Sequence, residues 1–263
     1  MNPVSASTAM EAGKTTPMQL LRVYALEAKY EWLKTIRNRA FALPALLFPL
    51  MFYVFFGVLF SHGNEQAATY LLCTYGVFGV MGPALFSFGA GLAIERGQGW
   101  QDIKAASPMP AGAQLFARVW VCSAFSLIIV LSLAVVAATL AGVSFTILQW
   151  LGLIAIWVLG GLPFCLLGLT LGLVLKADSA PAIINAIYLP LAFLSGLWMP
   201  LTILPSIMQQ FALLLPPYHL AQLALKVANL DMQQPALMHG IVLLVFTVIF
   251  LGLARLAYNK KAL

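Results

Sequence analysis

Long apolar runs broken by short polar stretches organise this chain. A bilayer core of about 30 Å takes about 20 predominantly apolar residues per helix. The runs predict six membrane-spanning helices, at about 41–60, 70–94, 119–142, 148–175, 182–199 and 236–258. The fourth is broken near Gly160, Gly161 and Pro163, and the fifth contains Pro190. Such residues are tolerated where neighbouring helices or water satisfy the freed backbone groups. The segment from Pro200 to Pro235 follows another pattern. Its run between Pro205 and Pro216 is too short to span, and Pro216 with Pro217 stops a helix, so it predicts two short helices at or partway into the outer interface.

Ahead of the first span, residues 18–39 have helical periodicity. At about 100° per residue, Leu21, Tyr24, Ala25, Ala28, Trp32 and Ile36 share a stripe, and Glu27, Glu31 and Lys34 cluster away from it. Leu26, Tyr30 and Leu33 form a second apolar patch, which suits a surface helix wedged between headgroups and other spans. Residues 1–17 are a polar tail, expected to be disordered and cytoplasmic, without the apolar core of a cleavable signal. The fold expected is all-α and polytopic: tail, amphipathic interfacial helix, and one transmembrane domain over 40–263.

Composition sharpens this picture. Hydrophobic residues make up 62% of the 263 and charged residues 8%, against about 25% charged in soluble chains. Of the 14 Lys and Arg, all but Lys226 fall on the side that holds the two termini and the 94–118 stretch. The positive-inside rule puts that side, with both termini, in the cytoplasm. The net charge of +6 is thus accounted for by topology and membrane lipid, without nucleic acid. Cys73, Cys122 and Cys165 lie inside predicted spans, form no CxxC pair, and read as small apolar filler rather than metal ligands.

Candidate chemistry is sparse. Ala12–Thr16, AGKTT, ends like a phosphate-binding loop, but Thr8 stands where the first Gly is required and no strand precedes it. The chain is therefore read as lacking a nucleotide site of its own. His62, His219 and His239 lie near predicted outer boundaries without a paired base or carboxylate, so an enzyme is disfavoured. No predicted span interior holds a charge, which weakens an ion-coupled secondary carrier. Gly76, Gly79 and Gly82, and Gly168 with Gly172, offer small-residue faces for close helix approach, within the chain or at a dimer seam. Trp150, Trp157 and Trp198 read as interfacial anchors, and Tyr188, Phe193 and Trp198 alternatively as a substrate path.

Two segments stand out together. One is the charged island IERGQGWQDIKAASPMP, Ile94–Pro110; the other runs from Ser195 to Lys226. In the second, Ser195, Gly196, Trp198, Pro200, Pro205, Pro217 and Tyr218 fall in the order of the C-terminal signature of the ABC type-2 permease family, the membrane subunits of ABC exporters, which it resembles. Lys226 stands where that family often has Arg. The island resembles the same family's loop after its second span, through Glu95, Arg96, Gly97 or Gly99, Ile103, Pro108 and Arg118, with Trp100 in place of a small Thr. The resemblance implies a permease that binds no cofactor, takes its work from a separate ABC ATPase subunit carrying ATP-Mg, and functions as a homodimer or heterodimer. It implies export of a hydrophobic or amphipathic substrate such as a drug, lipid or lipid-linked glycan. Glu95, Arg96, Trp100, Asp102, Ile103 and Lys104 are then the expected ATPase-docking residues, with Lys176–Pro181 a second contact. A secondary transporter and a non-transporting anchor or sensor subunit are the alternatives.

Overall fold

The computed structural model describes residues 17–107 and 109–259, and all their side chains except those of Asp102, Ala105 and Ala111. Residues 1–16 of the expected tail and Pro108 lie outside the described residues, and Pro17 begins the first helix. Helix α1, Pro17–Arg37, is followed after Asn38 by α2, Arg39–Phe52, which runs on as a π-helical stretch, Tyr53–Leu59. A turn with His62 and Gly63 at positive φ leads to α3, Glu65–Leu85, started by the Asn64 side chain accepting the Ala67 N–H at 3.1 Å. The same rod continues through a π-helical stretch, Phe86–Gly91, into α4, Leu92–Gly97. Short α5, Trp100–Ala105, precedes α6, Ala111–Leu140. A Thr146/Gln149 capping box opens α7, Ile147–Leu159, and Gly160–Gly161 separate it from α8, Leu162–Val174. Then come α9, Ala180–Leu194; a single 3₁₀ turn; α10, Ser206–Ala212; α11, Pro216–Val227; and α12, Ala236–Asn259.

Among the described residues five helical rods are long and apolar enough to cross a bilayer, and α9 is a shorter apolar helix of 15 residues. Expected to run to Met199, α9 stops at Leu194, because Gly196 takes φ +72° and the Leu197 N–H turns back to the Ala192 carbonyl at 3.1 Å. The chain is a multi-pass, all-helical membrane protein. Its centre is the Glu65–Gly97 rod, 72% buried over its most apolar window, whereas α12 is only 11% buried and offers most of its surface to surrounding apolar medium. The 33-residue rod is about 50 Å long, well beyond a core of about 30 Å, so its ends reach the headgroup zones.

Close approach to this rod rests on glycine. A Cβ on Gly172 would lie 2.4 Å from the Phe88 carbonyl oxygen and one on Gly168 2.7 Å from that of Ala84, so α8 lies almost backbone to backbone on the central rod. The Gly168/Gly172 face is therefore consumed within the chain. Trp157 is not an interfacial anchor: it is fully buried, its ring fills the space beside Gly76, and its N–H donates to the Cys73 carbonyl at 3.1 Å. The three cysteines are free and buried, with the Cys122 and Cys165 sulfurs 3.4 Å apart between α6 and α8.

Candidate functional site

The bundle has two distinct ends. At one lie α1, α4, α5, the start of α6 and the α8–α9 turn; at the other lie the α2–α3 turn, the start of α7, and residues 195–235. Glu65 accepting from the Ser144 hydroxyl at 3.0 Å, and Gln149 donating to the Val227 carbonyl at 3.2 Å, tie the second end together.

The charged island occupies the first end, and Glu95, Arg96 and Lys104 turn inward. Arg118, on the second turn of α6, pairs with Glu95 of α4, lies 3.9 Å from Glu31 of α1, and donates to the Ser87 carbonyl in the π-helical stretch at 3.0 Å. Lys34 of α1 pairs with both Glu31 and Glu95, and Gln101 donates to Glu95 at 3.2 Å. Lys104 of α5 pairs with Glu27 of α1 at 2.7 Å. Arg96 donates to the Gly172 and Leu173 carbonyls, both at 2.7 Å, at the negative end of the α8 dipole. Glu31, Glu95 and Arg118 are all buried. Three carboxylates, Glu27, Glu31 and Glu95, meet three cations, Lys34, Lys104 and Arg118, so the network is balanced in charge as buried ions require.

The expected spans stop at Ile94 and begin at Val119, one residue short of Glu95 and Arg118. The observed helices include both, within two turns or so of their ends. The surface helix also turns differently from its apolar stripe. Its inward arc is Tyr24, Ala28, Glu31, Trp32 and Thr35, with Tyr24 on Phe116 at 5.5 Å and Trp32 on Phe125 at 5.2 Å, while Leu21 and Ile36 are exposed. This rotation carries Glu31 to within 3.9 Å of Arg118 and brings Lys34 to Glu95.

With Glu95, Arg96 and Lys104 engaged, the outward surface of the island carries two large apolar side chains beside the exposed Gln98. Gly99 at φ +76° turns the chain between α4 and α5, and beyond it Trp100 is 52% exposed and Ile103 62%. Of the six expected docking residues, Glu95, Arg96 and Lys104 are held by intrachain partners, Trp100 and Ile103 face outward, and the Asp102 side chain lies outside the described residues. Beside the island, a crevice of about 390 Å³ runs between Arg96–Gly97 and Leu175–Asp178, so the two expected contact loops are adjacent.

At the opposite end the seven signature residues share one local architecture. Ser195 and Gly196 form the turn that ends α9, and a Cβ on Gly196 would meet Leu201 at 2.6 Å. Pro200 and Pro205 precede the 3₁₀ turn and α10, and Pro217 lies in the first turn of α11, where a missing N–H costs nothing. Tyr218 is fully buried against Leu201, Leu204 and Ala212. Trp198 joins an aromatic wall with Phe52 at 6.1 Å, Phe78 at 5.9 Å and Phe193 at 6.0 Å, and Tyr188 stacks on Phe78 at 4.8 Å. The wall draws on α2, α3, α9 and the turn after it. Within it, the Trp198 indole N–H and the nearby Ser195 hydroxyl are buried without a hydrogen-bond partner among the described residues.

The profile of the ABC-2 type transporter family matches residues 24–229, which span α1, the island and the signature segment through α11. A curated relative, "Putative transport permease YvfS" of Bacillus subtilis (strain 168), is 30% identical over 238 residues, covering 88% of this chain and 95% of the relative.

Proposed function

Because this chain belongs to the ABC-2 type transporter family, we propose that it is the membrane subunit of an ATP-driven exporter and accepts work through the outward face of its island. The observation that carries this reading is the division of labour in residues 94–105. Ion pairs fix the island to α1 and α6, hydrogen bonds from Arg96 fix it to the end of α8, and the two large apolar side chains left exposed, Trp100 and Ile103, provide a stiffly mounted anchor. The partner is a separate ABC ATPase subunit with ATP-Mg bound to it, and the assembly contains two permease chains. The island end and both termini are cytoplasmic, in an inner membrane, in keeping with the basic residues gathered there. A hydrophobic or amphipathic substrate passes along the aromatic wall and leaves past residues 195–235; a wall of Phe, Tyr and Trp suits such cargo.

The test is Trp100→Ala in the permease copurified with its ATPase and placed in nanodiscs. Loss of a central aromatic anchor is expected to weaken ATPase association by about 2 kcal/mol, roughly 30-fold in Kd, and to lower stimulated ATP turnover at unchanged membrane insertion. Unchanged association and turnover would remove the docking role. Transport that continues with a hydrolysis-dead ATPase but collapses with the proton gradient would replace the exporter with a secondary carrier.

A further inference from the structure

At the end opposite the island, α11 is a short helix buried along most of its length between α3, α7 and α12. Its His219 meets His239 in the first turn of α12, with the two Nδ1 atoms 2.9 Å apart and both rings essentially inaccessible to solvent. The tautomers follow from the partners. His219 Nε2 lies 3.0 Å from the Leu213 carbonyl, which only accepts, so that nitrogen carries its hydrogen and, in the neutral ring, Nδ1 is a lone pair. His239 must then donate from Nδ1, which leaves its Nε2 as a buried lone pair with no hydrogen-bond partner among the described residues. The separation is that of a hydrogen bond; two nitrogens bound to one tetrahedral zinc at about 2.0–2.1 Å would lie about 3.3 Å apart.

The rest of the neighbourhood is built around this contact. The loop from Ala228 to Pro235, with Asn229 and Gln233 at positive φ, is strapped to α11 by three side chains. Lys226 donates to Asp231 at 3.0 Å and to the Gln234 carbonyl at 2.9 Å, Gln222 accepts the Met232 N–H at 2.9 Å, and the Tyr218 hydroxyl points at the Met232 sulfur at 3.7 Å. The titratable groups around the pair are Tyr218 and Lys226 on α11, Asp231 on the loop, and Tyr70 and Cys73 on α3; α7 brings none.

We infer that His219 and His239 form a proton-binding site that latches α11 to α12: the latch holds while at least one Nδ1 is unprotonated, and opens when both rings carry two protons. In the doubly charged state two Nδ1–H groups face each other at 2.9 Å, so the hydrogen bond is replaced by repulsion between like charges. Burial holds the His219 pKa below its ordinary value. The sign is therefore fixed. The opened segment takes up a proton near pH 6.5 that the latched one refuses, so latching is complete above that pH and weakens as pH falls through it, up to tenfold per pH unit per proton. The latch rests on the geometry of the pair, with the burial of His219 supporting the sign, and stands whether or not the chain docks an ATPase.

The experiment is hydrogen exchange of residues 213–235 in the full chain in lipid nanodiscs, from pH 7.5 to 5.0, corrected for the intrinsic pH dependence of amide exchange. The opening constant is expected to rise at least tenfold, one proton between pH 6.5 and 5.0 allowing about 30-fold. In H219Q/H239Q, which keeps polar neutral side chains, the rise should vanish, and in H62Q, at an exposed histidine, it should persist. A pH-independent opening constant in the unaltered chain, or the same rise in the double variant, overturns the proposal. So does protection that follows zinc or a chelator at constant pH and ignores protons. Should the double variant fail to insert, ¹⁵N-histidine NMR of the unaltered chain decides: coupled stepwise titration supports the site, and two independent imidazoles titrating near 6.5 refute it.

Discussion

Arg118→Met tests whether the island is held by buried charge. Arg118 has a side-chain exposure of 6%, its partner Glu95 11% and Glu31 6%, so all three ions are desolvated. Met keeps most of the volume and removes the guanidinium. Glu95 is then left with the neutral Gln101 amide and with Lys34, whose side chain is 50% exposed and already shared with Glu31, and the Ser87 carbonyl loses its donor. Breaking a buried pair from one side costs about 3–5 kcal/mol, and an orphaned buried carbonyl about 1–3 kcal/mol more where water cannot replace the donor. Headgroup-zone water reaching Lys34 will relieve part of this, so about 3 kcal/mol is the expected loss, a factor on the order of 100 in the folded-to-unfolded ratio. The assay is reversible denaturation in nanodiscs, or limited proteolysis of the island, over the cycle Arg118→Met, Glu95→Gln and both. The double variant should recover much of the loss, because it leaves no uncompensated ion. A single Arg118→Met within about 1 kcal/mol of the unaltered chain, or a double variant no better than the sum of the singles, would refute the reasoning.

Two further outcomes follow from packing and topology. Gly172→Ala would force a Cβ to within 2.4 Å of the Phe88 carbonyl oxygen, so α8 must move off the central rod at a cost of about 1–3 kcal/mol, read as a lower Tm; Gly152→Ala, with open space around it, should leave Tm unchanged or slightly raised. Single cysteines at Glu65 and Ile103 should label with an impermeant maleimide from opposite sides of the membrane, Glu65 from outside; labelling of both from one side would overturn the proposed orientation.

The apolar runs were legible because a bilayer imposes one length and one composition on every span, and Glu65–Gly97, Ala111–Leu140 and Ala236–Asn259 satisfy both. Local chemistry also announced the breaks: Gly160–Gly161 divide α7 from α8, and paired prolines open α11. What could not be read was partnership across distance. Glu95 and Arg118 sit beside the ends of apolar runs, and nothing in the spacing says that Glu31, more than 60 positions upstream, completes their network. A signal existed in hindsight: a carboxylate on a surface helix whose apolar stripe is imperfect is itself a reason to ask what cation it faces. Trp157 looked like a belt residue because it is a Trp near a helix end, and only the gap left by Gly76 shows why it is in the core. The His219–His239 contact depends on a loop with two non-glycine residues in the left-handed region, for which the sequence carries no local pattern.

The two ends share one physical part. The central rod carries Glu95 at the island end and Phe78 in the aromatic wall, and between them lies the π-helical stretch Phe86–Gly91, preceded by Pro83. That stretch is the least regular portion of the rod, yet it is gripped from two sides: Arg118 takes the Ser87 carbonyl, and Gly172 lies against the Phe88 and Gly89 carbonyls. A helix interrupted by a π-turn would ordinarily bend there. Here, both grips come from elements bonded to the island, Arg118 through Glu95 and α8 through Arg96. In the proposed transporter a displacement of the island therefore changes the support of this irregular stretch as well as the position of the rod's end. The angle between the two halves of the rod, rather than a translation of the whole, is then the coordinate through which the aromatic wall would respond.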